Sequence, residues 1–177
     1  MKKRFYLSFF TSVLLLACSS KTEKWSLDLE ACIKSADSTT TILNETIAED
    51  ELKSLLVDSR ILFQEVKAAV SDDTLDVEFG QQLDQFSTAY RNALTLESEY
   101  THCKHAAAEL TDRLKQLKSD IENTNGDRAE YCAYVTREKG ELTKIQNHCK
   151  DIRLRFDELK AAKADFEPVF QVYQKEV

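Results

Sequence analysis

Three histidines and five cysteines carry most of the reactive chemistry in this chain. Glu99 and His102 stand three residues apart, the spacing by which carboxylate-bridged metal centres draw two ligands from one helix of a bundle. Such centres need a second pair of the same kind, and residues 145–148 read Ile-Gln-Asn-His instead. His102 and His105 fall on the outward side of the helical repeat described below. The two histidines amount to a loose surface pair with Glu99 nearby, so no metal and no other cofactor is expected. Nucleophilic chemistry has no better footing. Glycine-rich phosphate loops are missing, and the serines gather in polar stretches. Carboxylates such as Asp112 and Glu138 lie a few residues from Lys115 and Lys144, the pattern of a solvated helix face. The chain is not expected to be an enzyme.

The N-terminus is more specific. Lys2, Lys3 and Arg4 precede an apolar run from Phe5 to Ala17, the layout of a secretory signal. That run is shorter than the roughly 20 residues a bilayer span needs. Leu15-Leu16-Ala17-Cys18 resembles the lipobox of bacterial lipoproteins. The resemblance implies that residues 1–17 are removed and that Cys18 becomes a lipidated first residue. Two or more acyl chains of the palmitate type would then hold the protein stably at a membrane. Ser19 in the next position resembles the sorting pattern that favours the outer membrane. Residues 18–25 are then the lipidated cysteine and a short polar tether, and residues 26–177 the folded domain. Losing Lys2, Lys3 and Arg4 takes the formal charge from −7 to −10. So acidic a chain has little with which to neutralise phosphates, which excludes nucleic acid as a partner.

Three glycines and one proline in 177 residues leave too few turns for a sheet protein. Ser71-Asp72-Asp73-Thr74 and Asn125-Gly126-Asp127 are turn signals, and Asp127 with Glu130 resembles a capping box. They cut the chain into segments of about 26–70, 75–124 and 127–177. In the third, Tyr131, Val135, Leu142, Ile145, Cys149, Ile152, Phe156, Leu159, Phe166, Phe170, Tyr173 and Val177 recur at steps of three and four. Only Glu138 and Lys163 interrupt them. The second segment repeats the pattern from Leu96 to Ile121, with Phe79, Leu83, Phe86 and Tyr90 upstream and a register slip near Glu97. A seven-residue period held so long is a coiled-coil seam. The first segment carries a wider stripe over Leu52–Val70, and Ser38-Thr39-Thr40-Thr41 predicts a break or kink. Pro168 should bend the last turns. Short connections make neighbouring helices antiparallel. The expected fold is all-α: an elongated antiparallel three-helix bundle, or coiled-coil hairpin plus N-terminal helix, roughly 70 Å long at about 1.5 Å per residue.

Setting Cys18 aside leaves Cys32, Cys103, Cys132 and Cys149. An even number in an exported protein reads as two disulfides, with metal ligation or free buried thiols as the alternatives. A hairpin centred on Gly126 places residue i of the second segment level with about 252 − i of the third. Cys103 then faces Cys149, and Cys32 is left to pair with Cys132. Aromatic side chains collect toward the far end, and Phe166, Phe170 and Tyr173, near the Pro168 bend, are candidates for a partner-binding patch. Trp25 is expected to pack on the end of the bundle.

These features together predict a lipid-anchored cell-envelope protein that acts as a binding or scaffold module. Its partners would be the membrane, through the lipid, and an envelope protein, as in envelope assembly, a pilotin-like escort or an adhesin; sustained seams also allow self-association. The alternative is a periplasmic chaperone-like or metal-binding helical protein. Leu142-Thr143-Lys144-Ile145-Gln146 is similar to the Leu-Thr-x-x-Gln motif of Spy/CpxP-like chaperones, which usually carry it twice.

Overall fold

The computed structural model describes the backbone of residues 4–70, 76–123 and 128–176, and side chains within 23–70, 76–123 and 130–175. Five helices form there: α1 (Arg4–Thr46), α2 (Glu49–Ala69), α3 (Val77–Ala93), α4 (Leu96–Glu122) and α5 (Arg128–Glu176). No strand occurs among the described residues, and the chain is the all-α bundle its periodicity implies. The turns at 71–74 and 125–127, with the Asp127 cap, lie outside the described residues. Segment 18–25, expected as a tether, is helical within α1.

Two breaks differ from expectation. The Ser38–Thr41 run does not interrupt α1, because its hydroxyls bond back onto the preceding turn. Thr39 donates to the Ser35 carbonyl at 2.8 Å and Thr40 to Ala36 at 3.4 Å, which lets β-branched residues stay helical. The chain breaks instead at Ile47–Ala48, where Ala48 is extended. Glu49, Asp50 and Glu51 then occupy the first turn of α2, where the helix dipole favours negative charge. Tyr100, fully buried, donates its hydroxyl to the Ile47 carbonyl at 3.2 Å and lies 3.1 Å from the Asn44 side-chain oxygen. It thereby satisfies a carbonyl that the break releases. The second break, at Leu94–Thr95, replaces the register slip expected near Glu97.

The chain divides into two compact units. The first contains α1 up to Thr40 with residues 106–145 of α4 and α5. Its core joins Leu29, Cys32 and Ala36 of α1 to Leu110, Leu114 and Ile121 of α4 and Tyr131, Val135 and Leu142 of α5. The early helix escapes a search for strong hydrophobes, yet Trp25, Leu29, Cys32, Ala36 and Leu43 keep steps of three, four and seven. Polar pairs fix its direction: Ser26 with Glu122, Glu30 with Lys118 and Asp37 with Thr111 run in opposite senses, so α1 and α4 are antiparallel. Trp25 packs edge-on against Tyr131 at 6.2 Å, and Asp28 meets Lys139 at 2.8 Å. Those two pairs make α1 and α5 parallel.

The second unit holds residues 41–105 and 146–177. Phe86 stacks on Phe166 at 5.2 Å and Phe79 on Tyr173 at 4.6 Å, while Phe63 of α2 meets Tyr90 at 5.1 Å. The rule that sets residue i against about 252 − i gives Phe166 for Phe86 and Tyr173 for Phe79. The Leu94–Thr95 break therefore leaves the pairing intact. Helix α5 continues past Pro168 to Glu176. Pro168 and Ala164, whose carbonyl loses its partner, are both exposed, so water can take that carbonyl and the helix survives.

Candidate functional site

The reactive side chains gather in two places, one in each unit. In the second unit, Cys103 of α4 and Cys149 of α5 are joined as a disulfide with Cα atoms 6.3 Å apart. Both are seam positions, and both are buried. One turn along α4 from the bridge, Glu99 pairs with Arg155, whose guanidinium also contacts Asp151 at 2.9 Å and donates to the Asn92 carbonyl at 3.1 Å. Asn92 lies in the last turn of α3, so Arg155 fastens the carbonyl end of that helix beside the Leu94–Thr95 break. The hydrogen bond from Arg155 holds the Glu99 carboxyl below its ordinary value, despite partial burial.

The placement of Glu99, His102 and His105 follows from this pairing. Glu99 is occupied by Arg155, and His102 and His105 point to solvent. His148 is half-buried and near enough to Glu99 to favour its charge. Among the described residues, no three His, Cys, Asp or Glu side chains converge as a metal would require.

A stability consequence attaches to Glu99. Its folded-state pKa is depressed, so its contribution is present above the unfolded value near 4.5 and fades as pH falls through the folded one. Glu99→Gln should cost about 1 kcal/mol at neutral pH, a modest figure because the pair is partly solvated. It should also flatten the decline of thermal stability in acid. Melting curves of both proteins between pH 7 and pH 3 test this; parallel declines would refute it.

In the first unit the notable group is Glu138. The sequence places it among solvated charges, but its side chain is 5% exposed and takes a core position on α5. Arg113 of α4 donates through Nε and one terminal nitrogen to one carboxylate oxygen at 3.2 and 3.1 Å. Arg137 does the same to the other oxygen at 3.2 and 3.0 Å. Four donated hydrogen bonds from two cations offset the loss of water around a buried carboxylate. Lys163, the other interruption of the seam, is partly buried and pairs with Glu167 at 2.8 Å.

The second expected disulfide is absent: Cys32 is buried and Cys132 exposed, both as free thiols. The parallel run of α1 and α5 explains it. Cys32 lies beside Lys139, seven residues beyond Cys132, or about 10 Å along the axis. Cys132 also follows the seam residue Tyr131 by one position, which turns it away from the core. Burial pushes the Cys32 thiol up, with smaller opposing and reinforcing effects from Lys139 and Asp28.

The aromatic patch is also corrected. Phe166 and Phe170 are 1% and 2% exposed, and Tyr173 is half-buried against Phe79. Phe166 and Phe170 are core residues because α5 stays on its seam through Pro168. Cys18 has no described side chain, and its proposed lipidation lies outside the described residues. No helix among those residues is long and apolar enough to cross a membrane. Arg155 and Arg113 carry no signal in the hydrophobic repeat, yet the hairpin rule sets Arg155 within two residues of Glu99 and Arg113 within one of Glu138. Comparison of the chain with known protein families, characterised proteins and solved structures finds no match.

Proposed function

We propose that this chain is a bacterial lipoprotein, anchored by a lipid on Cys18 in the outer membrane of the cell envelope, that works by binding another macromolecule. The observation that carries this reading is Leu15-Leu16-Ala17-Cys18 at the end of a basic, then apolar, leader. A binding role rather than catalysis is supported by what occupies the carboxylates. Glu99, Glu138, Asp28 and Glu51 are each tied to arginine or lysine, which suits a structural ion pair better than proton transfer. The acidic surface favours a protein partner over nucleic acid.

Expression in a Gram-negative host with labelled palmitate tests the anchor. Label should enter the wild-type chain, resist extraction with salt, and vanish in Cys18→Ser. Unlabelled protein released to the soluble fraction would overturn the proposal. Crosslinking in intact cells followed by identification of the captured protein would then name the partner class.

A further inference from the structure

We infer that α2 carries a second seam on its outward face, and that this face pairs in parallel with α2 of a second copy of the chain. The inference goes beyond the function proposed above and does not depend on lipid at Cys18.

The seven-residue spacing of α2 continues on the side turned away from the core. Ser54, Ile61 and Ala68 stand seven residues apart, and Val57 and Gln64 follow the first two of them by three, so all five fall in one stripe. All five are exposed, Val57 at 55% and Ile61 at 49%. Leu52, Ser59, Leu62 and Val66 take the buried side instead. The stripe is bordered by charge sorted by sign. Asp58 and Glu65 run along one edge, and Arg60 and Lys67 along the other. Among the described residues none of these four is in an ion pair, and Asp58 only accepts from the Ser54 hydroxyl at 3.4 Å. Nearer the start of α2 the charges are used within the chain, Lys53 by Glu49 and Glu51 by Lys160.

That sorting selects both the occupant and its direction. A two-fold axis along the helices sets the basic edge of each copy against the acidic edge of the other, which brings Arg60 to Glu65 of the second copy and the reverse. An antiparallel copy would lay acid on acid and base on base. The contact is isologous, so each copy supplies both signs. Ile61 meets Ile61 of the second copy and Gln64 meets Gln64, a polar pair that fixes register at a cost in stability. Val57 and Ile61 are the only large apolar residues each copy contributes, so the dimer is reversible.

The test uses the full chain in cells treated with an oxidant, in a Cys132→Ser background that removes the exposed free thiol. Gln64→Cys puts a thiol on the stripe, and Gln81→Cys puts one on an exposed position of α3 as the control. The stripe thiol should give about tenfold more disulfide-linked dimer than the control, because held partners meet at higher effective concentration than colliding ones. Adding Arg60→Glu should bring the yield down to the control, and Arg60→Glu with Glu65→Arg should restore it. All variants should melt with their parent, since each of these substituted side chains is exposed. Equal yields from the two thiols would overturn the pairing. So would a stripe crosslink that Arg60→Glu leaves unchanged, or one that joins Gln64→Cys to a different protein. Palmitate label missing from Cys18 would overturn the anchor and leave this pairing standing.

Discussion

Replacing Arg113 and Arg137 together by alanine is expected to destabilise the protein by about 3 kcal/mol, because it strands a carboxylate in a core without a counter-charge. Glu138 is buried at a seam position, and its two oxygens are each held by one of these guanidiniums. Both arginines are half or more exposed, so removing them forfeits little packing. The cost arises on the glutamate. Glu138→Leu gives the opposite result: it removes the desolvated charge, fills the interrupted seam, and leaves two arginines that water can solvate. That variant should be as stable as the wild type or more so. Urea unfolding at neutral pH measures both, and a cost below about 0.5 kcal/mol for the arginine pair would mean that Glu138 is hydrated.

Reducing the Cys103–Cys149 bridge should lower stability by a similar amount. The bond closes a loop with a sequence separation of 46, for which restriction of the unfolded chain predicts about 4 kcal/mol. The double variant Cys103→Ser, Cys149→Ser should unfold at clearly lower urea than the wild type, and reductant should move only the wild type. Thiol chemistry adds a sharper check. In the native protein Cys132 should react with an alkylating reagent, Cys32 only after unfolding, and neither Cys103 nor Cys149 without reduction. A peptide joining Cys32 to Cys132 in unreduced protein would refute the packing of the first unit.

These two cases mark where the sequence was and was not readable. The pairing of Cys103 with Cys149 follows from the Asn125-Gly126-Asp127 turn signal in the sequence and two strong hydrophobic seams, because a short connection leaves one register. Phe86 against Phe166 and Phe79 against Tyr173 obey the same arithmetic. The placement of α1 has no such short connection to fix it. Its height depends on individual contacts such as Trp25 with Tyr131 and Asp28 with Lys139, which periodicity does not encode. Periodicity therefore does not fix which residue of α5 lies beside Cys32. The early part of α1 was undervalued because propensity counts threonine against a helix, whereas hydroxyls bonded to the preceding turn remove much of that cost. Pro168 misled in the same way: its position suggested a bend, but solvent at Ala164 lets α5 run on, and the aromatic residues beyond it stay inside.

The stacked rings of the second unit bear on how this protein can change over evolutionary time. The planes of Phe86 and Phe166 lie within 8° of each other, and those of Phe79 and Tyr173 within 24°. A smaller side chain on one helix would leave a hole opposite an unaltered ring. Descendants of this chain should therefore drift at these places by twos, one substitution on α3 answered by one on α5, and lineages that break the rule should be short.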